Sequence, residues 1–584
     1  MSNPVKMTID KSKRDQSAGN GGLLKEVNGV NGIPVSVAPG FPDLEDQFNQ
    51  MGITHIRMHD CLGIGDIDNY IQPGNRGNQD QYIPNVPEAE RDKAKKLIAD
   101  IGNHRVIYPN AAAGMRSNNV DLAFKEANYT MTDMYIKRIL ANNPALNPGN
   151  IQRQVMFRIG RTLDGGSEMP QDADIYATLI STLVDRYSLN YVKTGLARKV
   201  KYWEIWNEPD LNIFWNNNDP QNFYKFYSKV AKMIKAVDPD AKVGGAGVAA
   251  GYNPGGAYID GLLKYCKETD TPLDFISWHY YAHETGDPQN IIDIGNAVQK
   301  SMIEYGYGDK ESICTEWNSS PFASVNTFTK IQMAKGAAFI ASTLSYMQYC
   351  KVDKAYFYRG DALSFGLFND NPNPVNKNFK SFCTYAAQAF NLYARMFETP
   401  YILQQEKNFG TGITILACEN AAGNKINILV SNFHVDNNFS NPNLKPAETD
   451  VYKQHYLDTN RTLDQLTDEW SLNEWFGGVN PNNIKPDNVI KNTNLVPNPP
   501  VYGKLAAHSR NYSESDNGLS LTIKNIGYNN ISITAFRIEE GGDLSSMSPP
   551  TRTLPAVRIA SNDLTLTDDS IITSTVTLYT ISLS

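Results

Sequence analysis

Long apolar runs are missing from this sequence. No stretch of about 18 uninterrupted apolar residues occurs, so no membrane-spanning helix is expected. A basic excess is missing too. Lys and Arg number 54 against 62 Asp and Glu, a net charge of −8, and no cationic run supplies the face of a nucleic-acid binder. Cysteine is scarce. Six residues (Cys61, Cys266, Cys314, Cys350, Cys383 and Cys418) show no CxxC pairing and read as buried thiols, not as a disulfide framework or a zinc site.

Familiar cofactor and nucleophile motifs are equally thin. No G-x-S-x-G elbow is present. Gly244–Gly251 contains a G-x-G-x-x-A after a strand, without the acidic residue and βαβ context that dinucleotide binding needs. His279 and His283 lie four apart, but at a strand end and outside any HExxH frame. No metal and no cofactor is expected. Met1–Asn20 is polar and has no apolar h-region, which suits a cytoplasmic protein and equally one whose signal peptide has been removed.

What is present is a large, aromatic-rich chain. Its 584 residues are 41% hydrophobic and 10% aromatic, with 31 Tyr and 7 Trp. From about residue 28 to 399, short β-rich runs alternate with amphipathic helices. The strand candidates are Ile33–Ala38, Thr54–His59, Val155–Gly160, Lys201–Asn207, Lys242–Gly247, Asp274–Tyr281, Ser312–Trp317 and Lys354–Arg359. Phe223, Phe226, Val230, Met233, Ile234 and Val237 form one helical stripe between two of them. Eight such units predict a (β/α)8 TIM barrel.

Roughly 95 residues separate Asp60 from Val155, far more than a loop and a helix require. An insertion at about 61–118 follows a strand and should therefore rise from the C-terminal rim, where barrel active sites lie. It reads as a wall or lid of the site; the plainer reading is decoration on the barrel's side or a contact between copies of the chain. Residues 1–27 read as a polar N-terminal segment, with which some strands of the C-terminal half could pair. Residues 400–584 read as a C-terminal β-sandwich domain, with a loop-rich Asn/Pro tract at about 437–500.

The chemistry concentrates at two strand ends. Lys201-Tyr-Trp-Glu-Ile-Trp-Asn-Glu-Pro-Asp-Leu211 is an apolar strand closed by Asn207-Glu208-Pro209. Pro209 cannot extend the ladder, which leaves Glu208 at the strand's edge. Ser312-Ile-Cys-Thr-Glu-Trp-Asn318 ends likewise, with Glu316 the sole acid in its run. Counted as the fourth and seventh barrel strands, they bring two carboxyls to one rim. One acid and one nucleophile or base is the requirement of glycoside hydrolysis; a lone rim glutamate would more often be an ion-pair partner.

At these residues the sequence resembles glycoside hydrolase family 39, the β-xylosidase and α-L-iduronidase family. The match is Trp203-Glu-Ile-Trp-Asn-Glu-Pro-Asp210, extended by Leu211 and Phe214-Trp215. Arg57-Met-His59-Asp60, His279-Tyr-Tyr281 and Glu316 follow in order. The resemblance implies Glu208 as acid/base and Glu316 as nucleophile of a retaining enzyme. It implies Asn207 on the sugar 2-hydroxyl, Tyr281 orienting Glu316, His279 and His59 on sugar hydroxyls, and Arg57 positioning carboxylates. Trp317 and Tyr358 are expected to line the substrate site, and Trp203, Trp206 and Trp278 to gather at the rim. One departure stands out. Family relatives commonly carry a Trp at the end of the last barrel strand, where this chain has Lys354-Ala-Tyr-Phe-Tyr-Arg-Gly360, so Tyr358 or Phe357 must substitute. Arg158 and Arg161 are candidates for hydroxyl or carboxylate contacts, or for rim ion pairs.

The implied partner is an oligosaccharide or polysaccharide, and exo-acting β-xylosidase action is the default. Iduronidase-, arabinosidase- or galactosidase-like action and endo-cleavage of a polysaccharide remain alternatives. A catalytically silent carbohydrate-binding protein is the alternative from another class.

Overall fold

In the computed structural model the described residues are 4–34, 43–59, 130–160, 173–211, 214–215, 219–249, 255–282, 287–319, 334–360, 366–368, 383–407, 411–434, 518–528, 530–552, 557–560 and 562–584. The rim insertion at 61–118, the tract at 437–500, Arg161, His283 and Cys61 lie outside them.

The chain begins with strand β1 (Val5–Arg14) and then builds a closed barrel of eight parallel strands. These are β2 (Gly29–Asn31), β3 (His55–Met58), β4 (Gln154–Ile159), β5 (Tyr202–Ile205), β6 (Lys242–Val248), β7 (Phe275–Tyr281), β8 (Glu311–Asn318) and β9 (Lys354–Phe357). Closure comes from β2 pairing with β9, Gly29 opposite Tyr356 and Val30 opposite Phe357. Seven of the eight run close to the spans expected. The first differs: the barrel strand is Gly29–Asn31, a short glycine-led run with no alternation to mark it, and of the expected Ile33–Ala38 only residues 33 and 34 are described, outside the strand.

Period-two alternation decides which residues enter the lumen. Met156, Tyr202, Phe275, Ile313 and Tyr356 form one buried inner layer. Their neighbours Phe157, Trp203, Ile276, Cys314 and Phe357 point outward into the large core shared with the helices. Helix Pro220–Val237 carries the predicted stripe; Pro220 opens it and the Asp219 side chain accepts the Gln221 N–H, the usual N-terminal arrangement.

After the barrel come β10 (Tyr401–Gln405), β11 (Ile413–Glu419), β12 (Lys425–Asn432), β13 (Leu519–Lys524), β14 (Ile531–Ile538), β15 (Thr551–Arg552), β16 (Val557–Ala560), β17 (Asp563–Asp568) and β18 (Thr575–Leu583). With β1 they form one ten-stranded sheet, ordered β15-β14-β18-β12-β11-β10-β1-β13-β17-β16. The sheet curls on itself as a sandwich. Its inner face buries Met7, Ile9, Ile415, Ile428, Leu521, Leu566 and Ile581, while Leu416, Leu429 and Leu578 face the barrel's helices.

Residues 1–27 are therefore more than a polar segment. Strand β1 lies mid-sheet, parallel to β13 and antiparallel to β10, because Met7 and Ile9 alternate inward beneath a lysine-rich exterior. Helix Ala334–Tyr346 is buried on nearly every side. It packs against β11, β12 and β18, as a helix that is apolar all round must be covered on both faces.

Candidate active site

The loop after β5 is built under strain. Trp206 and Glu208 both adopt left-handed backbone, with φ of 76° and 43°. Each such non-glycine residue costs about 1–3 kcal/mol and persists only where its surroundings hold it. Here the Trp206 indole N–H donates to the Phe214 carbonyl at 3.0 Å, and its ring packs edge-on against Trp215 and Phe226. The Glu208 backbone N–H donates to the Gly247 carbonyl at 2.8 Å. Between the two strained residues, Asn207 is turned into the barrel mouth.

Arg57, rising from β3 and fully buried, organises the mouth. Its Nε donates to Glu204 Oε2 at 2.5 Å, Nη1 to Asn31 Oδ1 at 3.0 Å and to Glu316 Oε1 at 2.7 Å, and Nη2 to Asn207 Oδ1 at 2.7 Å. The last bond fixes the Asn207 amide with its NH₂ as the free donor side. Burial alone would strip the guanidinium's proton more easily, but Glu204 and Glu316 hold it charged.

Glu316, at the end of β8, is gripped on both oxygens. Oε1 takes Arg57 and has His59 Nε2 at 3.4 Å; Oε2 accepts the Tyr281 hydroxyl at 2.6 Å. Burial works to raise its pKa, yet the charges of His279, Arg57 and His59 and the Tyr281 hydrogen bond outweigh that and hold it at about 2. Glu208 moves the other way. Burial raises its carboxyl above the ordinary range despite a 2.8 Å hydrogen bond to His279 Nδ1, and the Glu316 charge adds to the rise. Burial likewise pushes Asp210 up to about 7. The pKa values of two neighbouring carboxyls are thus driven in opposite directions, the arrangement that separates an acid from a nucleophile.

Donor atoms of Glu208, His279 and Glu316 all lie within 4.8 Å of one another, which are dimensions that also suit a metal. The Arg57 guanidinium, 2.7 Å from Glu316, opposes a cation there by simple repulsion.

Glu208, Glu316, Asn207, His279, Tyr281, His59 and Arg57 are therefore brought together. Tyr358 joins them at the lip, half-buried, its ring edge-on to His59 at 5.5 Å. Trp317 does not. It is 0% exposed and points outward, T-shaped against Phe357 at 5.0 Å, because residues adjacent to inward Glu316 must face the helices. Trp203, Trp206 and Trp278 are equally enclosed and form core, not rim. Phe357 also faces outward, onto Phe390, leaving Tyr358 as the aromatic residue of this strand end beside the site. Arg158 is buried on β4 with its guanidinium beside Gly160. The sequence reading passed over Glu204 and Asn31. The available signal was an acid inside an apolar strand, in the same inward parity as Tyr202.

Residues 117–358 match the family described as Glycosyl hydrolases family 39. A Beta-xylosidase of Geobacillus stearothermophilus is 28% identical over 187 residues, 30% of this chain and 35% of that protein, so the alignment spans about a third of the relative's length. By structure, a glucosidase from Croceicoccus marinus aligns with a TM-score of 0.66 at 19% identity, covering 100% of both chains. A monomeric beta-xylosidase from Caulobacter crescentus CB15 aligns with a TM-score of 0.56 at 13% identity over 99% of each. At those identities the likeness is one of fold. Both strand-end glutamates, Glu208 and Glu316, lie inside the residues that match glycosyl hydrolases family 39.

Proposed function

We propose that the protein hydrolyses glycosidic bonds with retention of anomeric configuration, acting on terminal β-xylosides. The observation that carries this is the pair of neighbouring carboxyls, Glu208 pushed up by burial and Glu316 held down by its cationic neighbours, with oxygens within 4.8 Å. That spacing falls with retaining enzymes, at about 5–5.5 Å, and is too short for the water of an inverting one. In the first step a Glu316 oxygen attacks the anomeric carbon and forms the glycosyl ester. The bond to the leaving oxygen breaks, and that oxygen takes the Glu208 proton. In the second step Glu208 removes a proton from water, the resulting hydroxyl attacks the anomeric carbon, and Glu316 departs as carboxylate. The Asn207 NH₂, fixed by Arg57, faces the mouth as a donor for the 2-hydroxyl.

The choice of β-xylosides rests on the names of the curated relatives, which are Beta-xylosidases of Geobacillus stearothermophilus and Caldicellulosiruptor saccharolyticus. A panel of nitrophenyl glycosides tests both levels, with NMR of the first-formed anomer. Wild-type turnover of the β-xyloside with retention, abolished in Glu316→Gln, is the expected result. Turnover that survives Glu316→Gln unchanged overturns the mechanism, and no turnover at all leaves a silent carbohydrate-binding protein as the reading.

A further inference from the structure

Arg57 carries one charge but meets two buried carboxyls. Its Nε donates to Glu204 Oε2 at 2.5 Å and its Nη1 to Glu316 Oε1 at 2.7 Å. The Arg57 and Glu204 side chains are 0% exposed and that of Glu316 is 6%. The guanidinium's other two acceptors, Asn31 Oδ1 and Asn207 Oδ1, are neutral. Room for the pair comes from Gly247, where a Cβ would sit 3.1 Å from Glu204 Oε1 and 3.5 Å from Arg57 Nη2. Transfer of the sugar removes one of the two carboxylates. Once a Glu316 oxygen is bonded to the anomeric carbon, that group is a neutral ester, and a buried cation that loses its counter-ion is strongly destabilised. Glu208 becomes a carboxylate in the same step, but its hydrogen bond runs to His279 Nδ1 at 2.8 Å. Among the described residues, the carboxyl that stays hydrogen-bonded to Arg57 is then Glu204.

We infer that Glu204 is a positioning residue acting through Arg57: it is the counter-ion that keeps the guanidinium paired while Glu316 carries the sugar. This rests on the reading of Glu316 as the nucleophile. Two effects follow, one on each side of the first step. Before it, the Arg57 charge is divided between two carboxylates, so Glu316 is incompletely neutralised and keeps its nucleophilic lone pairs available. After it, the Arg57–Glu204 pair persists, and Nη2 still holds Asn207 with its NH₂ toward the mouth. Glu204 thereby stabilises the ester relative to the free enzyme without touching the substrate.

Glu204→Gln removes the charge and keeps the shape, since the amide oxygen still accepts the Arg57 Nε–H. The probe is the 2,4-dinitrophenyl 2-deoxy-2-fluoroglycoside of a sugar that the wild type hydrolyses. Its dinitrophenolate leaves with the bonding electron pair and needs no proton. The fluorine slows both steps, so formation of the Glu316 ester is timed as loss of activity and its hydrolysis as recovery. The variant should be labelled more slowly by about tenfold or more, a fraction of what an unpaired buried charge costs. Recovery should be as fast as in the wild type or faster, because hydrolysis returns the Glu316 carboxylate to Arg57. Losses of equal size in both rates overturn the inference, since damage to the lumen is felt in both transition states; so does labelling at the wild-type rate. If the variant does not fold, a crystal structure of the labelled wild type decides. Arg57 still hydrogen-bonded to Glu204 supports the inference, and a guanidinium turned away from Glu204 overturns it. A wild type that hydrolyses no glycoside, or takes the label elsewhere than on Glu316, overturns the nucleophile reading and this inference with it. Labelling on Glu316 confines any failure to Glu204.

Discussion

Removing one hydroxyl from Tyr281 should move the acid side of the pH–rate profile and nothing else. In Tyr281→Phe, Glu316 Oε2 loses its 2.6 Å hydrogen bond while Arg57 and His59 remain on Oε1. A hydrogen bond to a charged group is worth about 1.5–3 kcal/mol, and about 1.36 kcal/mol corresponds to one pKa unit. The Glu316 carboxyl, held at about 2, should therefore rise by about one to two units. A carboxylate whose pKa is depressed works above that pKa and fails as pH falls through it. Wild-type kcat/KM should stay flat on the acid side down to the lowest pH the fold tolerates, and the variant should bend downward near pH 3–4. The profile of kcat/KM reports the free enzyme, so brief assays of a nitrophenyl xyloside, with samples returned to neutral pH to check reversibility, suffice. An unmoved acid limb, or a shift of the alkaline limb governed by Glu208, would refute the assignment of Tyr281 to Glu316.

Three further outcomes follow from the same geometry. Glu208→Gln should abolish the alkaline limb and lower turnover of poor leaving groups far more than of dinitrophenyl ones, read from kcat/KM across a leaving-group series; a uniform loss would contradict its role as acid. Trp317→Ala should cost about 3–5 kcal/mol of stability, as large-to-small core changes do, in urea unfolding, with KM of the folded fraction unchanged; a raised KM at full stability would return Trp317 to the substrate site. Deleting residues through Arg14 removes a mid-sheet strand with Met7 and Ile9 buried. It should lower the thermal midpoint by well over the about 2–4 °C expected per kcal/mol in a larger domain, and an unchanged midpoint would make β1 dispensable.

The two strand ends were legible because their chemistry is local. An apolar run that stops at Asn207-Glu208-Pro209, or that carries Glu316 as its sole acid, announces a carboxyl at an edge without reference to any other part of the chain. Barrel periodicity was legible for the same reason, since alternation and helical stripes are properties of ten or fifteen consecutive residues. The bounds of strand β1 escaped because its lysines dominate the composition, although Val5, Met7 and Ile9 alternate beneath them. Strand β2 escaped because three residues are too few to show a period.

Residue type and order thus determined a barrel, a second β-rich unit and the two glutamates, each a matter of near neighbours. Tertiary structure decided what each rim residue faces. Parity along β8 sent Glu316 inward and Trp317 into the core, a distinction invisible when both are read simply as residues at a strand end. Closure of eight strands brought Arg57 against Glu204, Asn31, Asn207 and Glu316, which lie 26 to 259 positions away in sequence. The opposed shift in pKa of Glu208 and Glu316 arises from those distant charges and from burial. It exists once the lumen excludes water, because a carboxyl's pKa is set by its surroundings in space, not by the residues beside it in the chain.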